Sequence, residues 1–172
     1  MAQRLIKYIT LEEFKKLLAA EKDKKYKLAY VLGFGSGLRI SEIVGYKDKI
    51  MPLNQSQVNL QAHQVRIIGK GDKERITCTS PWLNETNIKM LPLDIKRRTL
   101  QDRITKLGKR VLDKEISFHT LRHGFGNYMA NEKNLPLPLL QSNMGHSRID
   151  TVGIYTKANP KQAIEKSWEA WE

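Results

Sequence analysis

Between Tyr26 and Phe34 the chain presents almost no polar face: Tyr26, Leu28, Ala29, Tyr30, Val31, Leu32 and Phe34 follow one another with little interruption. Such a segment must be enclosed by other elements, so it is expected as a buried helix around which the remainder is arranged. It runs into Gly33-Phe-Gly35-Ser-Gly37, where glycine permits a left-handed or closely approached backbone. With 172 residues the chain suits one compact domain with a sizeable core.

The other elements group around that segment. Thr10 and Glu13 form a capping box ahead of Phe14, Leu17 and Leu18, which predicts a helix over about 11–21. Ser36 or the glycines open a short helix from Leu38 to Gly45 that carries Arg39 and Glu42 on one face. Residues 46–63 are polar and irregular, with one short strand near Val58 to Leu60. The β-prone runs Val65 to Ile68 and Arg75 to Cys78 flank Gly69-Lys70-Gly71-Asp72, which predicts a hairpin with Lys70 at its tip. Pro81 to Pro92 reads as loop. A helix follows over about 97–112, with Leu100, Ile104, Leu107 and Val111 as its stripe. Ser117 is placed to cap a helix over about 118–132, and Asn134 to Pro138 interrupt it before a short helix with Leu139, Leu140 and Met144. Asn159-Pro160 begins a last helix with Ile164, Trp168 and Trp171 at helical spacing. The fold class expected is α+β, mostly helical with a small antiparallel sheet.

Thirty Lys and Arg against eighteen Asp and Glu give a net charge of +12, which favours a polyanionic partner, because neutralising phosphates releases condensed counterions. The single Cys78 excludes an internal disulfide, and no leader or long apolar run appears. The reading is of a soluble, cytoplasmic chain without a membrane anchor. Gly33-x-Gly35-x-Gly37 has neither dinucleotide nor phosphate-loop spacing, and one Cys with four His makes no structural zinc set. No cofactor and no metal are expected.

Six positions gather the groups that phosphodiester chemistry needs: Arg39, Lys70, His119, Arg122, His146 and Tyr155. Arginine stays ionised and presents a fork that can hold two phosphate oxygens, so Arg39 and Arg122 suit the grip. Lys70 on a hairpin tip suits a general acid to a leaving oxygen. His119 and His146 can donate to phosphate or relay a proton. About one tyrosine in a thousand is phenolate at neutral pH, so Tyr155 becomes a nucleophile only with charge and protons managed around it. Glu42 would orient the Arg39 guanidinium. Singly, each has a plainer reading as a surface ion-pair partner, a solvated charge or a capping histidine. Order, spacing and flanking residues together favour the shared role.

Those boxes resemble the catalytic domain of tyrosine recombinases, the phage-integrase and Xer family. Ser36-Gly37-Leu38-Arg39-Ile40-Ser41-Glu42 is similar to the first arginine box, and Gly69-Lys70-Gly71-Asp72-Lys73-Glu74-Arg75 to the lysine hairpin. His119-Thr-Leu-Arg122-His123, Met144-Gly-His146 and Tyr155 complete the pattern over about residues 10–157. The resemblance implies site-specific cleavage and rejoining of double-stranded DNA, without metal or ATP, through a 3′-phosphotyrosyl link at Tyr155. It implies Lys70 as acid to the 5′-oxygen, and a tetramer on the DNA synapse built from full-length protein that is a monomer when free. Residues 1–158 are expected as the catalytic domain and 159–172 as a C-terminal segment that docks on a neighbouring protomer or packs on its own domain. The family's additional N-terminal domain is expected to be absent from this chain. The lysine-rich composition and divergent loops look more like an archaeal viral integrase. Other readings are a non-enzymatic basic DNA-binding module, a metal-independent nuclease using His119 and His146, and a type IB topoisomerase-like activity.

Overall fold

The computed structural model describes residues 7–145 and Trp168. Helix α1, Leu11–Ala20, starts where the sequence places it: Thr10 Oγ1 accepts from the Glu13 N–H at 3.2 Å, and Glu13 Oε2 accepts from the Thr10 N–H at 3.0 Å. Helix α2, Lys24–Gly35, is the apolar segment, and everything from Leu28 to Gly35 in it is buried. Phe14 of α1 stacks on Phe34 of α2 with ring centroids 4.2 Å apart, and the edge of Trp82 closes the cluster at 5.2 Å from Phe14. Aromatic contacts of this kind add to the burial that joins the two helices.

Helix α3, Ile40–Val44, is short and begins one residue after Arg39, so the arginine itself is the N-cap rather than Ser36 or a glycine. The three-stranded antiparallel sheet has the order β1, β2, β3, formed by Val58–Asn59, Gln64–Ile68 and Glu74–Cys78. Val65 and Ile67 are buried and pair with Thr77 and Arg75. Thr77 Oγ1 donates to the Ser36 carbonyl at 2.9 Å, which ties β3 to the end of α2.

The stretch expected as loop between Pro81 and Pro92 contains a single helical turn, α4, Glu85–Ile88. Asn84 caps it by accepting from the Thr86 and Asn87 N–H groups, and Asn87 reciprocates. An Asn pair in place of the usual Ser/Thr and Glu hid this cap from a reading that gave weight to the prolines. Helix α5, Arg97–Leu112, holds the start of the next element: Gln101 Oε1 accepts from the Phe118 N–H at 3.0 Å, and Thr105 Oγ1 donates to the Ile116 carbonyl at 2.9 Å. Helix α6, Phe118–Asn127, has Ser117 at its N-cap and runs along α2. The helix expected to reach residue 132 widens instead into a π turn over Tyr128–Glu132, where the Lys133 N–H returns to the Tyr128 carbonyl at 3.0 Å. Helix α7, Leu137–Met144, starts two residues before Leu139 because Pro138 is accommodated in its first turn. It packs against β3. Of the expected last helix, Trp168 is helical and exposed, whereas Ile164 and Trp171 lie outside the described residues.

One buried carboxylate fastens α1 and α2 to α5. Glu21 accepts from Arg103 through Nε at 2.9 Å and Nη2 at 2.6 Å, and from the Tyr30 hydroxyl at 3.2 Å. Burial alone would raise the Glu21 carboxyl, but hydrogen bonds from Arg103, the Asp23 N–H and Tyr30 bring it from 4.5 down to about 2. A carboxyl whose folded pKa lies below the unfolded one contributes stability fully above the unfolded value and loses it as pH falls. The wild-type protein should therefore lose more stability than Glu21→Gln as pH falls from 4.5 towards 2, as read from urea unfolding midpoints. Parallel pH curves for the two proteins would show that Glu21 is not so stabilised.

Candidate active site

Among the described residues Arg122 is the largest fully buried side chain, 1% exposed, at the centre of α6. Nη1 donates to the Gly37 carbonyl and Nη2 to the Met144 carbonyl, both at 2.5 Å. A buried guanidinium is tolerated only when its donors find acceptors. Here those acceptors belong to two chain segments far apart in sequence, the turn that leads into Arg39 and the end of α7 before Gly145. Gly37 has φ +67°, and a Cβ there would stand 2.6 Å from the Phe125 ring of the same helix, so the turn both requires glycine and lies directly against α6.

That turn delivers Arg39 beside Glu42. Glu42 is buried, and its Oε2 accepts from the Arg39 backbone N–H at 2.7 Å while Oε1 accepts from Arg39 Nη1 at 3.1 Å. Glu42 thus holds both the backbone N–H and the guanidinium of Arg39. The same Oε2 also accepts from Arg75 Nη2 at 2.7 Å. Arg75 entered the sequence reading only as the closing residue of the lysine hairpin. Its signal was the strand register: Val65 and Ile67 face inward, and the residue paired with Ile67 must share that face, which is Arg75. Ile76, the apolar neighbour, points outward and is exposed.

His119 lies on the exposed edge of α6, three positions before Arg122. Desolvation, then the charges of Arg122 and of Arg39, lower its pKa, with Glu42 opposing. His123 stands edge-on to His119 with ring centroids 5.0 Å apart. Burial first, and His119 and Arg122 after it, lower its pKa from 6.5 to about 4. Both imidazoles are thereby disposed to be neutral near pH 7, as acceptors or relays of a proton. Lys70 opens a 3₁₀ turn, Lys70–Asp72, at the hairpin tip, where Gly71 has φ 72°, and its side chain is exposed. Among the described residues no hydrogen bond or ion pair holds its ammonium group. The fold therefore brings Arg39, Glu42, His119 and Arg122 into one cluster and leaves Lys70 on a projecting turn. His146 and Tyr155 lie outside the described residues.

A cationic cluster with neutral imidazoles at its rim and a lysine on a separate arm is suited to a phosphodiester. Two guanidinium groups offset charge on non-bridging oxygens, and the arm can reach a leaving oxygen. The fold around it is that of tyrosine recombinase catalytic domains. The crystal structure of XerA recombinase aligns with a TM-score of 0.70 at 24% identity, over 98% of this chain and 66% of that one. The XerH site-specific recombinase bound to difH substrate in a pre-cleavage complex gives 0.73 at 22%, over 100% and 56%. Residues 92–162 match the phage integrase family model. Over 176 residues the chain is 31% identical to tyrosine recombinase XerC of Histophilus somni, covering 88% of this chain and 57% of that protein. Over 185 residues it is 29% identical to tyrosine recombinase XerA of Pyrococcus horikoshii, covering 95% and 62%. Over residues 92–162 the chain is thus similar to the phage integrase family. It spans about three-fifths of the length of these curated relatives.

Two outcomes follow from the cluster. Arg122→Met should destabilise the protein by about 3 kcal/mol or more, since two buried carbonyls lose their donor and each unpaired group costs about 1–3 kcal/mol. A loss below about 1 kcal/mol in chemical denaturation would contradict the pinning role. By ring-proton NMR, His123 should titrate near pH 4. Because its folded pKa is depressed, its contribution to stability is complete above 6.5 and declines as pH falls through that value towards 4.

Proposed function

We propose that this domain cleaves and rejoins double-stranded DNA at specific sites through a 3′-phosphotyrosyl intermediate. The observation that carries the reading is the convergence of Arg39, Arg122 and His119, from two separate sequence boxes, on one cationic centre in which Arg122 is buried. The similarity to the phage integrase family and the net charge of +12 agree with it.

In this mechanism Arg39 and Arg122 bind the non-bridging oxygens of the scissile phosphate and offset their charge in the transition state. His119 and His146 donate to those oxygens or pass on the phenolic proton. Tyr155 Oη attacks phosphorus, the bond to the 5′-oxygen breaks, and Lys70 supplies a proton to that oxygen. The phosphotyrosine bond keeps the energy of the broken linkage, so the 5′-hydroxyl of a second DNA end can attack, join, and release tyrosine. Positioned proton donors contribute about 10² to 10⁴ in rate, which is the share assigned to Lys70. No metal and no ATP enter these steps.

Relatives bound to DNA support double-stranded DNA as the partner. Residues 1–158 form the catalytic unit in this reading, and the segment 159–172 docks on a neighbouring protomer of a synaptic tetramer through Ile164, Trp168 and Trp171. The exposure of Trp168 supports that assignment. Its place of action is the DNA of the host cytoplasm.

The test is a selection that also finds the site. The protein is incubated with random-sequence duplexes nicked so that a short leaving strand diffuses away, and DNA that remains bound through denaturation is sequenced. Wild-type protein should enrich one sequence and shift in mass by the attached strand. Tyr155→Phe should yield no adduct, and an adduct formed by that variant would overturn the assignment. Free termini in place of an adduct would mark a nuclease instead.

A further inference from the structure

Arg75 is a charged side chain facing the core from an otherwise ordinary strand, and its surroundings are unusual for a structural ion pair. The side chain is 12% exposed and Glu42's is 4% exposed. Nη2 reaches Glu42 at 2.7 Å, while Nη1 is buried and has no hydrogen-bond partner among the described residues. Its Cδ and Nε occupy the space that a Cβ on Gly145 would need, 2.3 and 2.4 Å from the ideal position, at a residue with φ +64°. Arg75 thus leaves the lysine hairpin, passes over the turn that precedes His146, and ends on the carboxylate that orients Arg39.

A clamp selected for stability alone would satisfy both terminal nitrogens or give way to apolar residues, since desolvating a guanidinium is costly. The charge count suggests another use. Arg39 and Glu42 by themselves sum to zero, and a carboxylate 3.1 Å from Arg39 Nη1 competes with any phosphate for that guanidinium. Adding Arg75 gives the trio a net charge of +1. Arg39 keeps its orientation from Glu42 without surrendering its field. Desolvation and the like charge of Arg39 both lower the Arg75 guanidinium's pKa, and the attraction of Glu42 offsets them only in part.

We propose that Arg75 is a positioning residue: it shares the Glu42 carboxylate with Arg39 and so leaves Arg39 its positive charge for the substrate phosphodiester. The inference rests on the DNA-cleaving reading above. It adds a residue that does not touch substrate and acts through Glu42.

Single-turnover adduct formation on the selected nicked duplex tests it, using the full chain. Arg75→Gln makes the trio neutral and should slow adduct formation about a hundredfold, read as a loss of transition-state stabilisation. Glu42→Gln combined with Arg75→Gln restores a net +1 and should be at least about tenfold faster than Arg75→Gln alone, a coupling that a double-mutant cycle isolates. A merely structural Arg75 predicts the reverse, with the double variant as slow as the single one or slower, and that result overturns the proposal. Arg75→Lys keeps the charge without the fork and should stay within about tenfold of wild type. Should Arg75→Gln fail to fold, Arg75→Lys decides: a loss of about a hundredfold in a folded Arg75→Lys protein would sink the charge argument. Absence of adduct with wild-type protein would strike the recombinase reading, whereas wild-type adduct with unaffected Arg75→Gln would strike this inference alone.

Discussion

The buried guanidinium of Arg122 is the constraint on which the site depends. Once α6 carries a permanent charge into the core, the fold must supply acceptors that water no longer provides, and it does so with the carbonyls of Gly37 and Met144. Meeting that electrostatic need fixes the approach of two chain segments to one helix. The first is the turn that leads into Arg39, pressed by Phe125 against the same helix face. The second is the end of α7, from which the chain continues to His146.

Around this pin the charges are arranged as a chain of partial neutralisation. Glu42 divides its two oxygens between Arg39 and Arg75, and His119 feels both Arg122 and Arg39. Low exposure of Glu42, Arg75 and Arg122 makes their interactions stronger than they would be in water and makes each unpaired group costlier. Hydrogen bonds thereby hold Arg122, Glu42 and Arg75 beside Arg39. Lys70, by contrast, is exposed on a glycine-containing turn, apart from the described ion pairs. The proposed grip and the proposed proton donor are thus mechanically distinct, and Arg75, one residue pair from the hairpin turn, links them along the chain and through Glu42.

Elements with strong periodicity or reciprocal caps were legible in the sequence because their causes are local. The Thr10 and Glu13 box, the enclosed helix α2, the stripe of α5 and the hairpin tip at Lys70 all appear where residue spacing places them. Less legible were features that balance two local preferences or depend on a distant partner. Asn84 and Asn87 form a cap from weaker signals, and α6 gives way to a π turn over Tyr128–Glu132 without a Pro to announce it. At the site, the pairing of Arg39 with Glu42 followed from helical spacing, whereas the inward face of Arg75 followed only from sheet register.

The sequence alone determined which chemical groups are present and their order: two arginines, a hairpin lysine, histidines and Tyr155, on a basic chain with one apolar helix to enclose. That information is compositional and local, carried by side-chain type and by spacing along helices and turns. Tertiary structure decided how the charges share partners: that Arg122 is a buried pin as well as a cation, that Glu42 serves two arginines, and that a strand residue joins them. The physical reason is desolvation. The worth of a charge depends on which acceptors lie within hydrogen-bond reach once water is excluded, and those acceptors are brought there by segments distant in sequence.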